Sequence, residues 1–151
     1  MVEKDTMSPE LMFRIGNAVA MAGWVSLLAS PWFPLVARWS SAIAIPSLLA
    51  LAYGGIMLTS VGDVEGSFLT LEGVMQLFTQ PMVVVMGWLH YLAFDLFVGT
   101  WIAFDSRERG IRFAFVLPPL FLTLMGGPIG LLSYYLLLLV SGRFSARPAI
   151  P

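Results

Sequence analysis

The sequence predicts an all-α polytopic membrane protein, one domain over residues 1–151, with four transmembrane helices in a bundle and a short interfacial helix before the third span. Three observations carry this. Of the 151 residues, 58% are apolar and 11% are charged, against about half and about a quarter in a soluble domain. Mean hydropathy is +0.86, and a compact fold of this length could not hide that much apolar surface from water. The apolar residues fall into four runs, each long enough for the roughly 20 residues a helix needs to cross hydrocarbon. Composition also excludes some classes. A net charge of −1 with eight Lys and Arg lacks the basic footprint of a nucleic-acid-binding protein. With no Cys there is no disulfide framework, thiolate metal site or Cys nucleophile.

The first span is expected at about 11–30, closed by Pro31 and Pro34. Its leading stretch is acidic (Glu3, Asp5, Glu10), Arg14 and Asn17 interrupt the apolar run, and no small-residue cleavage site follows. It therefore reads as a span and not as a signal peptide. Arg14 lies within a turn of the membrane edge, where its stem can snorkel. The second span is expected at about 39–61. From Ser67 to Phe78, apolar Phe68, Leu71, Val74, Met75, Leu77 and Phe78 recur at helical spacing over a run too short to cross. An interfacial helix over about 67–78 follows. Pro81 then opens the third span, about 82–104, since proline suits a first helical turn.

The fourth candidate, about 113–140, has 28 residues, or about 42 Å of helix against about 30 Å of hydrocarbon. It has to tilt, bend or break, and Pro118-Pro119 and Gly126-Gly127-Pro128 supply the means. A break near Gly127 reads either as a packing kink or as a ligand-facing interruption whose freed carbonyls need protein or water. With four spans, both termini and the second loop share a side. Lys4, Arg143 and Arg147 there, joined by Arg14 if it snorkels outward, nearly balance Arg38, Arg107, Arg109 and Arg112 opposite. The compact 107–112 cluster favours a cytoplasmic third loop. The second loop, with Asp63, Glu65 and Glu72 and no basic residue, fits the outside.

The third span holds the chain's single His and an Asp near mid-membrane. Polar groups at that depth are costly, which makes His90 and Asp95 functional candidates. At about 100° per residue, His90, Phe94, Phe97, Trp101 and Asp105 share one stripe. Asp95 lies about 140° away, with Trp88, Tyr91, Gly99 and Ile102. The two are therefore not a dyad on one face, although a third group could join them or they could line two sides of one cavity. His90 reads equally as a buried imidazole bonded to a neighbouring helix. A carboxylate at this depth must be paired, protonated or hydrated, and Arg14, Asn17, Tyr53 and Tyr134 are the candidate partners. Phe94, Phe97 and Trp101 read as packing and lipid contact, or as the wall of a groove for a long apolar ligand. The run from Asp105 to Arg112 reads as a solvated turn touching anionic lipid. Asp105 can pair with Arg109 at i,i+4, and Gly110 can stop the helix. No metal motif, nucleophile–base pair, phosphate loop or nucleotide fingerprint stands out, and the sequence assigns no cofactor.

The stretch His90-Tyr91-Leu92-Ala93-Phe94-Asp95-Leu96-Phe97-Val98-Gly99, with Trp101 to Ile111 and Pro128-Ile129-Gly130-Leu131-Leu132, resembles the signature of the abscisic-acid-deficient-four-like family of small four-helix membrane proteins. Plant members of that family are plastid membrane proteins required to make neoxanthin from violaxanthin. That reaction opens an epoxide to an allenic alcohol with no net change in formula, which takes an acid at the epoxide oxygen and a base at a vinylic C–H. The resemblance implies His90 and Asp95 as the catalytic pair. It implies Phe94, Phe97, Trp101, Glu72, Asp105, Arg107 and Arg109 as ligand contacts, with the two arginines matching more loosely. The short acidic N-terminus is unlike a plastid transit peptide, and the 105–111 loop resembles bacterial-type members, which implies a multi-pass protein of the bacterial cytoplasmic membrane. The implied function is binding or modification of a carotenoid or similar polyene, through proton-transfer isomerisation. The alternative is a non-catalytic small subunit or assembly factor of a larger, pigment-bearing membrane complex. A proton or small-solute pathway is a third reading, with only a two-group relay and no inverted repeat to support it.

Overall fold

The computed structural model describes residues 8–60 and 65–144. Lys4, Asp63 and Arg147, which entered the charge comparison, lie outside them. Among the described residues every regular element is helical. Helix α1 (Pro9–Leu28) starts where the Ser8 side chain accepts from the Leu11 N–H at 3.3 Å, with Pro9 in the first turn, a common N-terminal pairing of cap and proline. Pro34 opens the next helix instead of only closing the first. α2 (Pro34–Trp39), a π-helical turn over Ser40–Ala44 and α3 (Ile45–Ser60) form one continuous rod, so this crossing begins ahead of the expected Trp39. The wide turn sits just before Pro46, which has no N–H to continue the ladder. Ser41 pins it by donating to the Gly23 carbonyl of α1 at 2.8 Å.

The interfacial helix α4 (Leu71–Leu77) is shorter than the expected 67–78. Thr70 accepts from the Gly73 N–H and Ser67 from the Leu69 N–H, both at 3.1 Å, so these hydroxyls turn Ser67–Thr70 into a cap. α5 (Pro81–Glu108) starts at the expected proline and runs past Phe104, stopping ahead of Gly110 at φ 67°. α1 packs along α5 through small residues, as membrane helices do when backbones approach closely. A Cβ on Gly16 would lie 2.5 Å from Leu89, one on Gly99 would lie 2.5 Å from Trp24, and one on Gly23 would overlap Leu96. These contacts advance together along both chains, so α1 and α5 run parallel.

The fourth expected span is not one bent helix. α6 (Phe113–Gly126) and α7 (Pro128–Val140) form a hairpin. Gly130 lies directly on the backbone of Thr123, which a continuous helix would hold about 10 Å away along its axis. Tracing α7 against α5 gives the direction. Gly127 meets Asp95, Tyr134 donates to Asp105 at 2.6 Å, and Arg143 reaches Arg109. α7 therefore returns parallel to the second half of α5. Pro118 and Pro119 are absorbed within α6, and the reversal falls at Gly127, φ 49° and ψ −98°, a conformation that in practice only glycine adopts.

Three helical stretches are long and apolar enough to cross a bilayer: Pro9–Leu28, Pro34–Thr59 and Pro81–Glu108. The hairpin legs, at about 20 Å each, fall short of the roughly 30 Å of hydrocarbon. The charge comparison changes accordingly. Arg38, Arg107, Arg109, Arg112 and Arg143 gather at one end of the bundle, and among the described residues Arg14 alone of the basic side chains stands at the other.

Candidate functional site

The hairpin tip ends on the middle of α5, and the residue it meets is Asp95. This carboxyl is 9% exposed, and its Oδ2 has no hydrogen-bond partner. A Cβ on Gly127 would stand 2.8 Å from Asp95 Oδ1, so glycine serves the reversal and the close approach at once. The N-terminus of α7 faces the same carboxyl and presents the positive end of its dipole.

The face of α5 beyond the tip carries an aromatic and polar ladder. Tyr91, one turn before Asp95, addresses its carboxyl. Trp88 stacks on Tyr91 with ring centroids 5.3 Å apart. The Trp88 indole N–H donates to Asn17 Oδ1 of α1 at 3.1 Å, and Asn17 Nδ2 donates to the Phe13 carbonyl at 2.8 Å. Phe13 lies 5.4 Å from Trp88. Both rings remain more than a third exposed.

The other expected site residues lie elsewhere. His90 is exposed and stacked on Phe94 at 4.5 Å, with Tyr53 of α3 at 5.8 Å. It is not a buried imidazole, and the structure does not bring it together with Asp95. Phe94, Phe97 and Trp101 continue the exposed stripe, which ends at Tyr134 and Tyr135, 5.6 Å and 6.1 Å from Trp101. Glu72 is exposed in the first turn of α4, near the end of the bundle opposite the arginine cluster. None of the four expected partners of Asp95 takes that place. Asn17 serves Trp88, Tyr53 lies tilted against His90, Tyr134 serves Asp105, and Arg14 is exposed on α1.

Asp105 and Arg109 form the expected i,i+4 pair, at 2.5 Å and nearly buried. Arg109 also donates to the carbonyls of Arg143 at 2.8 Å and Phe144 at 3.1 Å. Together with Tyr134 they clasp the base of the hairpin to α5. Hydrogen bonding to Asp105 raises the Arg109 guanidinium above its already high ordinary pKa, so the clasp keeps its charge. Arg107 is exposed beside this clasp and takes no part in it.

The signature that runs through α5 to the hairpin tip extends into a match over most of the chain: the family described as ABA DEFICIENT 4-like covers residues 11–134. The chain belongs to this family. The match spans Asn17, Trp88, Tyr91, Asp95 and Gly127, every part of the tip site. It carries no bacterial or plant subdivision, so the bacterial-type affinity read from the 105–111 loop is not supported by it. No curated protein and no solved structure matches the chain.

Sequence reasoning missed the tip itself. The helical angle that separates Asp95 from His90 also groups it with Trp88 and Tyr91, so that part was available. The Asn17–Trp88 bond joins residues 71 positions apart and leaves no signal in a single sequence.

Proposed function

We propose that this membrane protein binds a carotenoid or similar polyene within the bilayer, and that Asp95 handles the proton of an isomerisation at the end of that molecule. The observation that carries the reading is the buried carboxyl with one unpartnered oxygen beneath the hairpin tip. Burial without a cation makes a carboxyl costly, and such a group is kept where its proton is used. Beside it, the half-exposed rings of Phe13, Trp88 and Tyr91 offer flat apolar surface to a conjugated chain, with only a few polar atoms to orient it.

An isomerisation that opens an epoxide to an alcohol has to give a proton to oxygen and take one from carbon. The proton count closes with no external donor. Asp95 can lend and recover that proton, and the Tyr91 hydroxyl is the group placed to share it. His90 faces lipid on another side of α5, so the proposal assigns it to the outer aromatic stripe with Phe94, Phe97 and Trp101.

The test is pigment extraction from a carotenoid-producing host expressing the wild type or Asp95→Asn. The wild type should change the pigment profile. The variant should leave it unconverted while accumulating in the membrane at the wild-type level. A fully active Asp95→Asn protein would sink the proton-handling role. An unchanged profile, with stoichiometric co-purification of a larger pigment complex, would favour the non-catalytic subunit instead.

A further inference from the structure

At the arginine-rich end of the bundle, two pockets adjoin at Phe104 and Arg107. The inner one, about 280 Å³, is bounded by Ser30 and Pro31 after α1 and by Ser106, Ile111 and Phe113 around the α5–α6 corner. The outer one, about 270 Å³, is bounded by Pro34, Leu35, Arg38 and Glu108. The Arg38 guanidinium lies over the Phe104 ring, 5.7 Å from its centroid, which holds it at the rim. Among the described residues, Asp105 forms an ion pair with Arg109, and neither Arg38 nor Arg107 takes part in it. Glu108 offsets one positive charge of the outer pocket, leaving the rim net positive.

The level of this corner in the membrane is marked by Trp32, Phe33 and Trp39, all more than 60% exposed. Tryptophan concentrates at the headgroup boundary. Two arginines at that depth, above walls of Pro31, Leu35, Ile111 and Phe113, present forked donors to an anion and apolar surface to whatever hangs from it. The geometry points to a binding site for the phosphate headgroup of an anionic phospholipid, with Arg38 and Arg107 on the phosphate and the acyl chains along the outer wall. The site is independent of the reaction at Asp95 and stands at a different depth.

The test uses the whole chain in nanodiscs of phosphatidylcholine alone or with phosphatidylglycerol, followed by native mass spectrometry of retained lipid. Phosphatidylglycerol should remain bound to the wild type. Arg38→Gln and Arg107→Gln should each weaken retention about fivefold, as expected for roughly 1 kcal/mol per arginine at a membrane surface. Arg107→Lys should recover part of the loss. Arg112→Gln, exposed on the same corner but outside both pockets, should retain lipid as the wild type does. Equal loss in Arg112→Gln would reduce the effect to general surface charge and overturn the site. Undiminished retention in both pocket variants would overturn it as well. Inorganic phosphate added to phosphatidylcholine discs should not stabilise the protein, and stabilisation equal to that from phosphatidylglycerol would reassign the pocket to a soluble phosphate.

Discussion

Replacing Gly127 with alanine is expected to unseat the hairpin tip, and the cost can be worked from two separate sources. The residue sits at φ 49° and ψ −98°, and holding a residue with a side chain in so sparsely populated a region costs about 1–3 kcal/mol. The new Cβ would also stand 2.8 Å from Asp95 Oδ1, well inside ordinary contact, and overpacking of that kind costs about 1–3 kcal/mol. The sum is about 2–6 kcal/mol. Unfolding in mixed micelles, followed by tryptophan fluorescence, measures it. The Asp95→Ala background separates the two sources, because it removes the carboxyl oxygens but leaves the backbone as it is. The double variant should recover the overlap and keep the conformational cost, giving a coupling of about 1–3 kcal/mol between the two positions. A Gly127→Ala cost below about 0.5 kcal/mol, the range of a neutral surface change, would refute the tip geometry. A coupling of zero would refute its contact with Asp95.

The remaining expectations concern topology and the joints of the hairpin. Because the chain has no Cys, single cysteines at Glu10 and Gly142 can be labelled with an impermeant maleimide. Three crossings place them on opposite sides of the membrane, and labelling from one side would restore the four-span layout. The arginine-rich end should prove cytoplasmic, so Gly142→Cys should be protected from outside reagent in sealed right-side-out vesicles. Gly130→Val should abolish stable hairpin packing, since its side chain would occupy the space of the Thr123 backbone, and protease digestion in detergent should then cut near Gly127. Asp105→Asn should cost about 1–3 kcal/mol, because it leaves a nearly buried Arg109 without its carboxylate. The loss should appear in the same micelle unfolding assay, with Tyr134→Phe costing less.

How much was legible in the sequence follows from which forces are local. The ends of α1, α4 and α5 are set by Ser8, Thr70, Pro81 and Gly110, which act within a turn of themselves, so capping rules come within a few residues of them. The pairing of Asp105 with Arg109 was equally local. The 113–140 stretch could be read only as too long and breakable. Whether Gly126-Gly127-Pro128 bends the helix or reverses it depends on Thr123 meeting Gly130 and on α7 finding α5, and those are tertiary contacts. The same limit applies to the site. Periodicity placed Asp95 away from His90 and beside Trp88 and Tyr91. It could not show that the hairpin stops at Asp95, leaving that side of α5 open beyond the tip. The charge comparison nearly tied because it assumed a fourth crossing. With the hairpin turning back, Arg143 joins Arg107, Arg109 and Arg112.

The decisive measurement is the visible absorption and circular dichroism of the protein purified from carotenoid-containing membranes, for the wild type, Trp88→Ala and Asp95→Asn in parallel. A polyene seated beneath the hairpin tip should co-purify with the wild type and show an induced dichroic band, because a chiral pocket twists it. Trp88→Ala should lose the pigment, and Asp95→Asn should keep it in unconverted form. A colourless wild type, or a pigment bound equally by all three proteins, would contradict a polyene site at Asp95.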